Sequence, residues 1–214
     1  MKKASYKSDP SIRLLSKPLL IVLSGPSGTG KDAILSRMKK TGYPIEFIIT
    51  VTTRPQRAKE KNNVDYHFVS TERFQEMIEY KELLEWAKVY GNWYGVPKEP
   101  VKQALEQGRD IIAKVDIQGA ATIKKILPQA VFIFLVPRSM EELATRLKQR
   151  HTESPFDLGL RLKNAEEEMK QLPLFDYIVV NKQDEIELAV SAIEAIITAE
   201  KQRVNPREIS LPAS

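Results

Sequence analysis

Short, wholly apolar blocks alternate along this chain with stretches whose apolar positions recur at helical spacing. Leu19-Leu20-Ile21-Val22-Leu23 is the first block, short enough for a strand and apolar on both faces, as a strand inside a covered sheet must be. A helix-compatible stretch, Ala33 to Met38, follows it. From Pro97 onward the alternation repeats. A helix from Val101 to Glu106 is ended by Gly108, a strand runs from Ile111 to Val115, and a helix from Ala120 to Leu127 stops before Pro128. Val131-Phe132-Ile133-Phe134-Leu135-Val136 is the clearest buried strand, followed by a helix from Met140 to Gln149. After the polar break His151-Thr152-Glu153-Ser154-Pro155 come a helix from Phe156 to Met169 and a strand from Asp176 to Val180. Ile186, Val190, Ile193 and Ile197 then mark a last helix. Apolar strands separated by helices predict an α/β fold with a parallel sheet covered on both faces.

Between about Ile45 and Tyr94 the pattern differs. Ile45 to Val51 and Asp65 to Val69 have strand character, Ser70 or Thr71 can cap a helix through Phe74, Met77 and Ile78, and Leu83 to Tyr90 and Trp93 to Val96 flank a Gly91-Asn92 turn. This predicts an inserted, mostly β segment. Met1 to Lys17 is a polar, basic stretch without periodicity and reads as a tail.

With 214 residues the chain can bury a full core as one compact unit. It has no cysteine, so disulfides, thiolate metal sites and a cysteine nucleophile are excluded, which suits a reducing cytoplasm. No apolar run approaches a membrane span, and the expected location is cytoplasmic. Thirty-three Lys and Arg against 28 Asp and Glu give a net charge of +5, spread along the chain without a nucleic-acid motif, so small phosphorylated ligands explain it better than DNA or RNA.

The chemistry begins directly after the first strand. Gly25-Pro26-Ser27-Gly28-Thr29-Gly30-Lys31-Asp32 meets the phosphate-loop pattern at Gly25, Gly30 and Lys31, between a strand and a helix as that motif requires. The glycines let backbone N–H groups close on phosphate oxygens, the helix N-terminus adds its dipole, and Lys31 reaches the terminal phosphates. A nucleoside triphosphate is the expected ligand. The last position normally offers a hydroxyl to Mg²⁺, and here it is Asp32.

Further motifs follow in order: Thr52-Thr53-Arg54-Pro55-x-Arg57, Glu60, Asp65-Tyr66-x-Phe68, Leu84-Glu85-Trp86-Ala87, and Gly91-Asn92-x-Tyr94-Gly95. Together with the loop they resemble guanylate kinase, over about Leu20 to Gln202. The resemblance implies a nucleoside-monophosphate-kinase-like fold over 18–205, with a core (18–44 and 97–205), a GMP-binding lobe (45–96), a helical lid at about 146–162, and a tail at 206–214. It implies transfer of the terminal phosphoryl group of ATP to GMP, with Mg²⁺ accompanying ATP. Arg54 and Arg57 match the pair that clamps the GMP phosphate, where planar guanidinium forks suit a dianion. Glu60 falls within the same motif, and Tyr66 and Tyr94 can add hydroxyls. Glu85 and Asp116 match carboxylates that accept from guanine N1–H and the 2-amino group, and Thr50 matches the hydroxyl position. Adenine lacks those donors, so buried carboxylates would be left unpaired against AMP. Arg146, Arg150 and Arg161 fall at the spacing of lid arginines, which supply positive charge to a loose phosphoryl-transfer transition state. Asn181 matches the residue near the adenine base. Trp86 reads as a packing residue.

Three positions depart from the family pattern: Asp32 in place of Ser or Thr, Lys114 in place of the first of two aspartates, and Val96 in place of a hydroxyl residue that would bond the GMP phosphate. A carboxylate gained at 32 and a cation gained at 114 predict an Asp32–Lys114 ion pair; direct Mg²⁺ binding by Asp32 is the other expectation. A binding module that kept the fold and recognises a phosphorylated partner is the alternative function. Intact Lys31 and the lid arginines favour an enzyme.

Overall fold

A computed structural model describes residues 17–58, 60–149 and 155–211. Five strands form a parallel sheet: β1 (Leu20–Ser24), β2 (Glu46–Ile48), β7 (Ile111–Lys114), β8 (Val131–Pro137) and β9 (Tyr177–Asn181), in the order β2-β7-β1-β8-β9. A second sheet of four strands, in the order β4-β3-β6-β5, holds β3 (Val51–Thr52), β4 (His67–Phe68), β5 (Leu83–Val89) and β6 (Asn92–Pro97). The helices are α1 (Lys31–Thr41), α2 (Thr71–Glu79), α3 (Lys98–Glu106), α4 (Ile117–Ile126), α5 (Met140–Gln149), α6 (Pro155–Met169) and α7 (Ile186–Lys201).

Strand alternation assigns the two faces of the large sheet. Leu20, Val22, Ile111 and Ala113 pack on one side with Val101 and Ala104 of α3 and Ala120 and Ile123 of α4. Leu19, Ile21, Leu23 and Ile112 point to the other, against Ile34 and Met38 of α1 and Val190, Ile193 and Ile197 of α7. Both faces are therefore dry along β1 and β8 and over Ile111 to Ala113 of β7, which is why these strands lack the polar alternation of a half-exposed sheet, while Ile178 and Val180 of edge strand β9 stay exposed. Their carboxyl ends, where ligands bind in such sheets, open toward the small sheet.

Three differences from the sequence-based expectations stand out. Ile45 to Val51, expected as one strand, is split: Glu46–Ile48 pairs with β7, while Val51–Thr52 pairs with β4 and β6. The chain changes sheets at Ile49 and Thr50, and a continuous apolar run cannot show that change. Residues 206–211, expected as part of a tail, lie on the core. Arg207 donates to both carboxylate oxygens of buried Glu200 at 2.9 Å and to the Ala130 carbonyl at 3.1 Å, and Ile209 and Leu211 pack against the first face. Val96, expected beside the GMP phosphate, is wholly buried in the core with Leu84 and Val101. No helix among the described residues is long and apolar enough to cross a membrane.

Candidate active site

β1 delivers the chain to the phosphate loop, and the loop's conformation explains its glycines. Gly25 has φ +143, and a Cβ there would lie 2.1 Å from the Leu135 carbonyl oxygen of β8. Gly30, at φ +96, precedes α1, whose first turn has no side-chain cap among the described residues. The N–H groups of that turn are thus left for an anion. Lys31 folds back onto the loop, where its ammonium donates to the carbonyls of Gly25 and Pro26, the latter at 3.0 Å. Burial lowers its pKa to about 8 against the opposing pull of Asp32 and Glu168. Thr29 is buried and donates its hydroxyl to the Pro26 carbonyl at 2.9 Å, so Thr29 shapes the loop from within.

A cavity of about 360 Å³ joins this loop to the small sheet, a size suited to a nucleotide-sized ligand. Gly25, Ser27, Gly28, Gly30, Lys31 and Asp32 line one end, and Thr50, Arg54, Arg57, Tyr66, Glu85 and Tyr94 line the other, with Lys114, Asp116, Arg161 and Glu168 between. At the lobe end Glu60 accepts two hydrogen bonds from Arg54 at 2.8 and 3.0 Å and one from the Arg57 backbone at 2.9 Å. Tyr66 and Tyr94 meet edge to face with ring centres 6.1 Å apart.

Glu85 is 5 % exposed, and its Oε2 has no hydrogen-bond partner among the described residues. Burial first, then the nearby Asp116 carboxylate, push its pKa up to about 8. Gly119 gives it room: a Cβ there would stand 2.6 Å from Oε2. Asp116 caps α4, accepting from the Gly119 N–H at 2.9 Å, while still lining the cavity.

Lys114 and Asp32 form the ion pair expected from their opposite charges. The Lys114 ammonium also donates to the Tyr66 hydroxyl at 2.7 Å. Burial works against its charge, but Asp32 and Tyr66 outweigh burial and hold its pKa above the ordinary lysine value.

Arg146 and Asn181 are not in this cavity. They line a second cleft behind the loop with Gly28, Gly30 and Lys182. There the Arg146 guanidinium donates to the Thr29 and Asn181 carbonyls at 3.2 and 2.6 Å and pairs with Glu142. The Asn181 amide donates to the Thr29 carbonyl at 2.7 Å. Arg161 lies over the Tyr90 ring at 5.6 Å. Arg150 lies outside the described residues.

The sequence reading missed Glu168, whose Oε2 accepts from the Ser27 N–H of the phosphate loop at 3.3 Å. A signal was present: Glu168 follows Arg161 by seven residues, two helical turns, so both share a face of α6.

The guanylate kinase family profile matches residues 17–200 of this chain. The chain belongs to the guanylate kinase family. It is 46 % identical over 187 residues to the guanylate kinase of Caldanaerobacter subterraneus subsp. tengcongensis, covering 87 % of this chain and 90 % of that one. Guanylate kinase 2, chloroplastic/mitochondrial, of Oryza sativa subsp. japonica is 45 % identical over 196 residues, 91 % of this chain and 69 % of that protein. The crystal structure of guanylate kinase from Anaplasma phagocytophilum superposes with a TM-score of 0.72 at 31 % identity, covering 90 % of each chain. The parallel core, inserted β lobe and helical lid region are thus those of a guanylate kinase.

Among the described residues no cluster of three or more His, Asp or Glu is placed to hold a metal, but Mg²⁺ bound with substrate phosphates needs only one or two carboxylates. Asp32, at the end of the loop and 65 % exposed in its side chain, fits one such contact, in competition with Lys114.

Proposed function

We propose that this chain transfers the terminal phosphoryl group of ATP to GMP, and to dGMP, forming ADP and GDP or dGDP. The observation that carries the reading is one cavity lined by a phosphate loop, by Arg54 and Arg57, and by the buried Glu85 carboxyl, whose Oε2 has no partner among the described residues. Glu85 and Asp116 accept from guanine N1–H and the 2-amino group, and the Thr50 hydroxyl serves O6. Arg54, Arg57, Tyr66 and Tyr94 clamp the GMP phosphate, with Glu60 orienting the arginines. The attacking phosphate oxygen is already an anion, so no general base is required. Its bond to the γ-phosphorus forms as the bond from that phosphorus to the bridging oxygen of ADP breaks.

The backbone of Gly25 to Gly30 and the side chain of Lys31 hold the donor phosphates. Arg146 and Asn181 serve the ATP side from the second cleft, and Arg161, with Arg150, brings lid charge to the transferred group. Asp32 would hold Mg²⁺, which neutralises charge on the donor phosphate oxygens; a carboxylate already paired with Lys114 makes this metal contact different from the usual hydroxyl.

The test is coupled detection of ADP with GMP, dGMP, AMP and UMP across a Mg²⁺ titration. GMP-dependent ADP formation is expected, with AMP and UMP at least about 10²-fold poorer in kcat/KM, as unpaired buried groups demand. Equal rates with AMP would sink the guanine assignment, and a pure binding module would form no ADP with any acceptor.

A further inference from the structure

The pair of Asp32 and Lys114 has a third member that changes its meaning. Asp32 stands in the first turn of α1, beside the donor loop, whereas Tyr66 belongs to the lobe that meets the acceptor. The Lys114 ammonium bonds both and lies 4.0 Å from the Tyr66 ring centre. Its backbone fixes this place: in the parallel register Lys114 pairs with Leu23, the residue before the chain enters the loop through Ser24. Lys31 feels the Lys114 charge directly, so two ammonium groups flank one carboxylate at the junction of the two halves. A pair serving only to neutralise Asp32 would not need to reach the lobe.

We propose that Lys114 is a further phosphate ligand of the transfer site: when nucleotides enter, its ammonium exchanges Asp32 and Tyr66 for phosphate oxygens at the point where donor and acceptor meet. Asp32 is then its keeper before nucleotides enter, the carboxylate with which this buried ammonium is paired. The exchange moves no proton. During transfer the charge of Lys114 stands beside oxygens that are gaining and losing their bond to phosphorus, a position in which a fixed cation lowers the barrier. This role rests on the function proposed above and adds to it a residue at which the chain departs from the family pattern.

The test combines steady-state kinetics with ATP and GMP, and calorimetric titration of GMP and ADP separately, on wild type, Lys114→Met, Lys114→Arg and Asp32→Asn. Lys114→Met should lower kcat about 10²-fold, the scale of losing one transition-state donor, and weaken GMP binding about tenfold, as loss of a charge-assisted contact does. Lys114→Arg should recover most of the binding. Asp32→Asn should tighten GMP and ADP binding in magnesium-free buffer. Lys114→Met with kcat and both affinities within about twofold of wild type, a span typical of surface substitutions, overturns the proposal. If wild type makes no ADP with GMP, the kinase reading fails, and the titrations alone judge Lys114: unchanged affinities overturn it. Should melting curves show Lys114→Met unfolded, Asp32→Asn decides, since equal or weaker nucleotide binding in that variant overturns the keeper role.

Discussion

At the phosphate loop the charged side chains are paired with one another or with loop backbone, whereas at the other end of the same cavity a buried carboxyl keeps one oxygen unpartnered among the described residues. Lys31 rests on two loop carbonyls, Glu168 accepts from the Ser27 N–H, and Lys114 pairs with Asp32. Glu85 keeps Oε2 unpartnered among the described residues. Under the proposed function the contrast follows from what each end would bind. A triphosphate carries enough charge to displace such internal contacts, so the loop can hold them without losing its ligand. Guanine is neutral and offers only directional donors, so discrimination depends on an acceptor left open for them.

The largest effect should come from the donor end. Lys31→Met removes the ammonium that must leave the Gly25 and Pro26 carbonyls for the donor phosphates, and kcat with saturating GMP should fall about 10²–10³-fold. Since burial lowers the Lys31 pKa to about 8, arriving phosphate should raise that value and take up protons. ATP affinity should therefore weaken as pH rises above 8. Titration in buffers of different ionisation enthalpy measures the proton uptake, and a pH-independent affinity would show that Lys31 does not meet the phosphates.

At the base end, Glu85→Gln should weaken GMP binding about 10²-fold while leaving ADP binding unchanged, because a carboxamide offers guanine one acceptor and one mismatched donor. The pH behaviour has the opposite sign to Lys31. Glu85 is raised from 4.5 to about 8 by burial, so the folded state binds the extra proton and Glu85 makes stability fall as pH rises through that window. Urea denaturation at several pH values should show wild type losing stability relative to Glu85→Gln between pH 4.5 and about 8. Guanine donors favour the carboxylate, so GMP affinity should increase from pH 6 to 8, with proton release, and the variant should lack both trends. A milder probe is Gly119→Ala, whose Cβ would press on Oε2 at 2.6 Å; about a tenfold loss of GMP affinity is expected, the effect of a small misplacement of a recognition group.

The two ends were also unequally legible in the sequence. Gly25, Gly30 and Lys31 carry a local motif, and the parallel core is written in apolar runs such as Val131 to Val136. The Asp32–Lys114 pair could be anticipated because two departures from the family pattern bring opposite charges, one to the first turn of α1 and the other to the end of β7, the strand beside β1. The acceptor end depends on tertiary assembly. The switch of sheet at Ile49 and Thr50, the burial of Val96 away from the cavity and the role of Gly119 as space for Glu85 involve residues distant in sequence. Arg146 illustrates the same limit: its spacing placed it with Arg161, yet it opens onto a different cleft. Spacing on a helix sets which residues share a face, and packing decides what that face meets.

Glu168 tests whether the internal contacts at the donor end compete with substrate. Its carboxylate is raised in pKa by burial, despite Lys31 nearby, and it accepts from a loop N–H of the kind that cradles phosphate. Glu168→Gln keeps an oxygen for Ser27 while removing the charge. If the carboxylate stands where phosphate belongs, ADP should bind a few-fold tighter to the variant, the scale of relieving one partly screened repulsion. Because Glu168 and Arg161 ride on the same helix, displacement of one by phosphate would move the other. The variant should therefore gain ADP affinity yet lose some kcat, a split that a purely structural hydrogen bond would not produce. Weaker ADP binding together with a lower melting temperature would instead assign Glu168 to holding the loop in shape, and the donor end would then be pre-formed in the same sense as the pocket around Glu85.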